Sequence, residues 1–320
     1  MAKILVTGGA GFIGSHITRK LLERGDSVVC VDEFNDYYPP EIKEKNVAPF
    51  LENPNYTLYR GTIVDYGFLK SIFEKENEKE KIQRVIHAAA RAGVRPSMQD
   101  PFLYEEVNVR GTLNLLDLAK DFKIENFVLL STSSVYGLSK KIPFCEGDET
   151  NPISPYAATK LATEIFAYAY NHMYDLNINV VRPFNIYGPS GRPDMIPFMF
   201  TQLIDEGREL VKFGDGTMKR DHTYIDDFAD GVIAAMDKVF GFEIFNLGNS
   251  NPVELGYFIE VVEKNLGKKA IIKEMLVPAT EVPITYADIS KAKRMLGYDP
   301  KTKIEEGMKN FVEWYKERKR

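Results

Sequence analysis

Short runs of apolar and β-branched residues alternate with stretches of helical periodicity through the first half of the chain. Residues 3–7, 27–31, 84–88, 127–131 and 179–182 read as strands, and residues 12–24, 112–122 and 156–174 as helices with one apolar face. This alternation predicts an α/β fold, a doubly wound parallel sheet covered by helices on both faces, with ligands held beyond the carboxyl ends of the strands. After about residue 182 prolines, glycines and aromatics cluster as far as residue 220, as expected of pocket-forming loops on a smaller lobe. The expected division is residues 1–181 plus a returning segment near 221–247 for the sheet domain, and 182–220 with 248–320 for a C-terminal substrate-binding lobe. The charge run 74–81 reads as a solvated helix face and the basic tail 316–320 as a helix end.

Composition narrows the class. The chain has 320 residues, 44% of them apolar, enough for a sizeable core, and a net charge of −5 from 41 basic and 46 acidic side chains. Mild acidity argues against nucleic-acid binding, which needs a basic face. An anionic ligand then has to be met by a few placed cations. No apolar stretch long enough to cross a membrane occurs, and the N-terminus runs straight into a strand pattern, unlike a signal peptide. Two cysteines, Cys30 and Cys145, and four scattered histidines have neither disulfide nor metal-ligand spacing. A cytoplasmic, reduced protein without structural metal is expected.

The candidate chemistry begins at Gly8-Gly9-Ala10-Gly11-Phe12-Ile13-Gly14, between the first strand and the first helix. Glycines there permit a tight turn and close approach of a pyrophosphate to the helix N-terminus, the arrangement of a Rossmann-like dinucleotide site. Asp32 ends the second predicted strand, where an acid accepts hydrogen bonds from ribose hydroxyls and repels a 2′-phosphate; with Glu33 beside it and no arginine close in sequence, NAD is expected over NADP.

Tyr156 and Lys160 lie four residues apart, on one face of a helix that Ser154-Pro155 would cap and start. A phenol of pKa about 10 has to fall by about 3 units to act as a base near neutrality, and a nearby cation favours that. Ser131-Thr132-Ser133-Ser134 end a strand upstream, so Thr132 can align a substrate hydroxyl with Tyr156.

These motifs, with His87-Ala88-Ala89-Ala90, Gly93-Val94-Arg95, Asn108, Arg182-Pro183-Phe184-Asn185, Tyr187-Gly188-Pro189, Arg220-Asp221 and Tyr286–Ala292, resemble the extended short-chain dehydrogenase/reductase family, and most nearly its nucleotide-sugar 4-epimerases. The resemblance implies bound NAD, a UDP-sugar substrate, a homodimer built from a helix pair within 101–122 and 155–174, and Thr132, Tyr156 and Lys160 as catalytic residues. It implies cofactor contacts from Gly8, Gly11, Phe12, Ile13, Gly14, Asp32, Asn35, Thr62, Ile63, Ala88, Ala89, Ala90, Asn108 and Phe184. Thr62 stands where the family usually has an aspartate. Substrate contacts are implied for Arg95, Thr132, Ser133, Ser134, Asn185, Arg192 and Arg220, with Glu281 in place of the usual acid. Gly188-Pro189-Ser190-Gly191-Arg192-Pro193-Asp194-Met195 and Asn35-Asp36-Tyr37-Tyr38 resemble the UDP-glucuronate 4-epimerases, whereas Asn185 is the residue of the UDP-glucose/UDP-galactose 4-epimerases. Related 4,6-dehydratases carry Asp–Glu just after the catalytic Thr; Ser133 and Ser134 cannot replace those carboxylates in eliminating water. A net dehydrogenase or reductase and a non-catalytic NAD-binding sensor are the remaining alternatives.

Overall fold

The computed structural model describes residues 1–277 and 282–319. Its centre is a seven-stranded sheet with every pairing parallel. In chain order its strands are β1 (Lys3–Thr7), β2 (Ser27–Asp32), β3 (Tyr56–Arg60), β4 (Arg84–His87), β5 (Asn126–Leu130), β6 (Ile178–Pro183) and Phe242–Leu247; across the sheet they run Phe242–Leu247, β6, β5, β4, β1, β2, β3. The order reverses between β1 and β4, opening a crevice at their carboxyl ends, where the glycine loop leaves β1.

Strand alternation splits the core in two. Ile4, Val6, Val28 and Cys30 pack on one face with Ile17 and Leu21 of helix α1 (Phe12–Arg24), while Leu5, Val29 and Val31 pack on the other with Leu115 and Leu116 of the helix Gly111–Asp121. Because both faces are covered, β1 and β5 are buried at every position, which is why they read as continuous apolar runs.

The edge strands β3 and Phe242–Leu247 have no counterpart among the expected strands. Each is only partly buried and mixes polar with apolar residues, so its pattern is weak. The helix Ile225–Asp237 and the strand after it return the chain to the sheet. Beyond the large sheet the chain forms helices Ile196–Asp205, Leu255–Leu266 and Ile304–Arg318, a parallel pair of strands (Glu209–Phe213 with Ile271–Met275), and a small sheet of Val253–Glu254, Lys219–Arg220 and Ile284–Thr285. Among the described residues no helix is long and apolar enough to cross a membrane.

Candidate active site

A cavity of about 430 Å³ lies over the carboxyl ends of the strands of the large sheet. One wall is the glycine loop. Gly8 has φ +69°, and a Cβ on it would come within 2.7 Å of the Ala89 nitrogen; a Cβ on Gly14 would fall 2.2 Å from the Gly8 carbonyl oxygen. Glycine is therefore required at both, one for its backbone angle and one for the close crossing of helix and loop. Gly11 caps α1 without a side-chain hydrogen bond, and the first turn carries no acid, so the helix N–H groups stay available to an anion.

Asp32 closes this end. Its carboxylate accepts from Ala10 N (3.1 Å) and Phe34 N (2.9 Å), and Lys43 Nζ lies 3.6 Å away. Lys43, which the sequence reading passed over, also donates to the Asn35 backbone oxygen (3.3 Å) and Oδ1 (3.2 Å), so a cation does stand beside Asp32. A loop glycine that admits no Cβ, a bare helix N-terminus and an acid at the end of β2 fit a dinucleotide's pyrophosphate and ribose.

Gly8, Gly11, Phe12, Ile13, Gly14, Asp32, Asn35, Thr62, Ile63, Ala88, Ala89 and Ala90 all line the cavity, as do Thr132, Ser133, Ser134, Tyr156, Lys160, Asn185 and Arg192. Thr62 Oγ1 accepts from Val64 N (3.3 Å) and shapes the turn where the family usually has an aspartate.

Four expected contacts fall outside the lining. Asn108 is buried in a π-helical turn (Glu105–Arg110), exchanging hydrogen bonds with Arg91 N and O (2.8 and 3.0 Å) and donating to Thr159 Oγ1 (3.0 Å). It ties the loop after β4, whose Arg91 lines the cavity, to the helix that carries Thr159. Phe184 points into the core against Tyr136 and Phe144, because its place just after β6 turns it inward. Arg95 is exposed on the single turn Val94–Ser97. Arg220 lies in the small sheet of the second lobe, its guanidinium donating to the carbonyls of Lys219 (2.9 Å) and Val282 (3.0 Å). Glu281 lies outside the described residues.

The expected acid/base is placed by the helix Pro155–Tyr174. Ser154 caps it, accepting from Ala157 N (3.2 Å), and Pro155 opens it, so Tyr156 stands in the first turn facing the cavity and Lys160 lies one turn deeper. Burial pushes the Tyr156 phenol up from its ordinary value, against the pull of a hydrogen bond with Thr132 and of the Arg192 charge. Burial lowers Lys160 to about 8, opposed by the Glu164 charge.

Glu164 is a residue the sequence reading missed. It forms a buried pair with Arg182 (Nε–Oε1 3.0 Å, Nη2–Oε2 2.6 Å) and accepts from Ser131 Oγ. Arg182 also donates to Tyr136 Oη (2.9 Å). The network clamps this helix onto the ends of β5 and β6, and its signal was another four-residue step along the face that carries Tyr156 and Lys160.

Thr132, Ser133, Ser134, Asn185, Tyr37 and Arg192 line the cavity together with Tyr156. The only carboxylates lining the cavity among the described residues are Asp32 and Glu33, at the glycine-loop end, and neither stands beside Thr132.

A family model described as GDP-mannose 4,6 dehydratase matches residues 5–311. The chain belongs to that family. Within it, the UDP-glucuronate 4-epimerase of Thermodesulfobacterium geofontis is 46% identical over 319 residues, 99% of this chain and 97% of that protein. A crystal structure of the UDP-glucuronic acid 4-epimerase of Bacillus cereus, with UDP-glucuronic acid and NAD, superposes with a TM-score of 0.91 at 35% identity, covering 98% and 99% of the two chains. The UDP-glucose 4-epimerase of Thermotoga maritima, solved with UDP-glucose, gives 0.90 at 31% identity, covering 99% and 100%. The family's name describes an elimination, yet Ser133 and Ser134 follow Thr132 in this chain, leaving a member built like its epimerases.

Proposed function

We propose that this chain is a UDP-glucuronate 4-epimerase, interconverting UDP-glucuronate and UDP-galacturonate with NAD held by the glycine loop and Asp32. One observation carries the reading: Arg192 lines the same cavity as Thr132, Tyr156 and Lys160, while among the described residues no carboxylate lines it beside Thr132. The guanidinium suits a carboxylate on C5 of the sugar, and the missing acid disfavours elimination.

Tyr156 takes the proton of the sugar 4-hydroxyl as C4 becomes a carbonyl, and returns it when C4 is reduced on its other face. Bound NAD supplies hydride acceptance and return at C4. Thr132, placed at the carboxyl end of β5, orients the hydroxyl toward the phenol. Lys160, lowered to about 8, is mainly protonated at neutral pH and holds positive charge below the site. The reaction is redox-neutral, so it needs no second substrate.

Asn185 does not favour a neutral sugar. It sits at φ +35°, where asparagine is tolerated better than a β-branched residue, and its amide donates to the Asp221 carbonyl (3.1 Å). The backbone turn accounts for its identity. Incubation with UDP-glucuronate and, separately, UDP-glucose, with products resolved by chromatography, tests the reading. UDP-galacturonate is expected; conversion of UDP-glucose alone would overturn it.

The same reading includes a homodimer. Phe102, Ile165, Tyr168 and Met173 are exposed apolar side chains in the segments where the helix pair is expected, whereas Leu115, Leu116 and Leu118 are core. Sedimentation velocity should give twice the chain mass, and Ile165→Glu should shift it to the monomer.

A further inference from the structure

Arg192 has a partner within its own loop. Asp194 accepts from Nε at 2.9 Å and from Nη2 at 2.6 Å, a side-on, two-point ion pair. A guanidinium has five N–H donors in a planar fork. The side-on pair uses two of them, on the edge formed by Nε and Nη2. The other edge, formed by Nη1 and Nη2, has only the Met195 sulfur at 3.8 Å from Nη2, a weak acceptor; Nη1 has no protein acceptor among the described residues.

The fork is held from a second side. Tyr37 brings its ring face to the guanidinium (5.4 Å from Cζ to the ring centre), and its hydroxyl reaches Asp194 Oδ2 at 3.4 Å. Tyr37 comes from the loop after β2 and Asp194 from the loop after β6, so the contact spans both lobes. Gly93 gives the ring room, since a Cβ there would stand 2.6 Å from Tyr37 Oη. Arg192 is close enough to Tyr156 for its charge to draw on the phenol.

We propose that Asp194 is a specificity-determining positioning residue: by holding the Nε–Nη2 edge of Arg192 it aims the Nη1–Nη2 edge at the cavity, ready to receive the C5 carboxylate of a uronate end-on. The idea rests on the uronate reading of Arg192 above. Two carboxylates then share one guanidinium on different edges, and Asp194 touches no substrate. A side chain as long as arginine loses considerable rotamer freedom when it is fixed; the ion pair and Tyr37 carry out that fixing before the sugar arrives, so binding does not have to. A sugar with a hydroxymethyl group at C5 makes little use of the oriented fork.

The test uses NAD-loaded protein in a Tyr156→Phe background, where turnover is blocked, and measures calorimetric affinity for UDP-glucuronate and UDP-glucose with and without Asp194→Asn. The amide keeps the shape and one acceptor but loses the charge and the second acceptor. UDP-glucuronate affinity should fall by at least about tenfold, and the fall for UDP-glucose should be at least about fivefold smaller. Asp194→Ala should lose at least as much for the uronate. Equal losses for both sugars would mean that Asp194 only shapes its loop, and tighter uronate binding would mean that it competes for Arg192; either overturns the proposal. A parent protein that binds the uronate no better than glucose would instead refute the uronate reading, and this inference with it.

Discussion

The two ends of the cavity hold negative charge in different ways. At the glycine-loop end the groups facing an anion are backbone N–H groups of one helix turn, fixed by the sheet and crowded by Gly14, and the carboxylate at the end of β2 is tied down by main-chain donors. At the Arg192 end one long cationic side chain stands, paired with a neighbour two residues on that a tyrosine from the loop after β2 also reaches. The first is built locally from the glycine loop and the end of β2; the second is assembled from distant parts of the chain and, on the proposed reading, meets the carboxylate of a uronate. Tyr156 lies where the two meet. On the proposed reading, cofactor binding should tolerate changes around Arg192, and sugar choice should not.

The largest expected effect breaks both ends at their junction. Tyr156→Phe should lower the epimerisation rate by at least about 10³-fold, in the range for loss of an acid/base, while calorimetry still shows NAD binding; retained turnover would remove Tyr156 from the chemistry. A smaller effect separates the ends. Arg192→Met should weaken UDP-glucuronate binding by about 10- to 100-fold, as expected for a lost charge-assisted pair, and leave NAD affinity within about twofold. Loss of NAD binding in that variant would contradict the independence of the two ends.

The smallest effect concerns stability. Lys160 falls from 10.5 to about 8 on burial. The unfolded chain then holds more protons than the folded one between those values, so this group makes the protein more stable as pH rises through that window and less stable below it. Lys160→Met should raise the melting temperature of cofactor-free protein at pH 7, by at most about 3 kcal/mol of stability, and the gain should shrink toward pH 10. A gain that does not change with pH would show that Lys160 is not buried as described.

The same contrast explains what was legible in the sequence. Glycine spacing, Asp32, the Ser154-Pro155 helix start and the Tyr156/Lys160 step are local, and their local geometry is what the fold displays. Strands buried on both faces announced themselves, whereas the half-exposed edges β3 and Phe242–Leu247 did not. Lys43, Glu164, Tyr37 and Asp194 act through partners far along the chain or through an ion pair whose geometry no spacing specifies. Asn108, Phe184, Arg95 and Arg220 mark the converse: the motifs that carry them are real, yet their side chains serve the scaffold, the core, the surface and the small sheet.

The central claim is that Tyr156 moves a proton while the hydrogen on C4 leaves and returns within one cavity. UDP-glucuronate deuterated at C4 tests it most directly. Mass spectrometry and proton NMR of the product should find UDP-galacturonate with the deuterium still on C4 and no reduced cofactor accumulating. Deuterium lost to water, or NADH released with each turnover, would contradict the account.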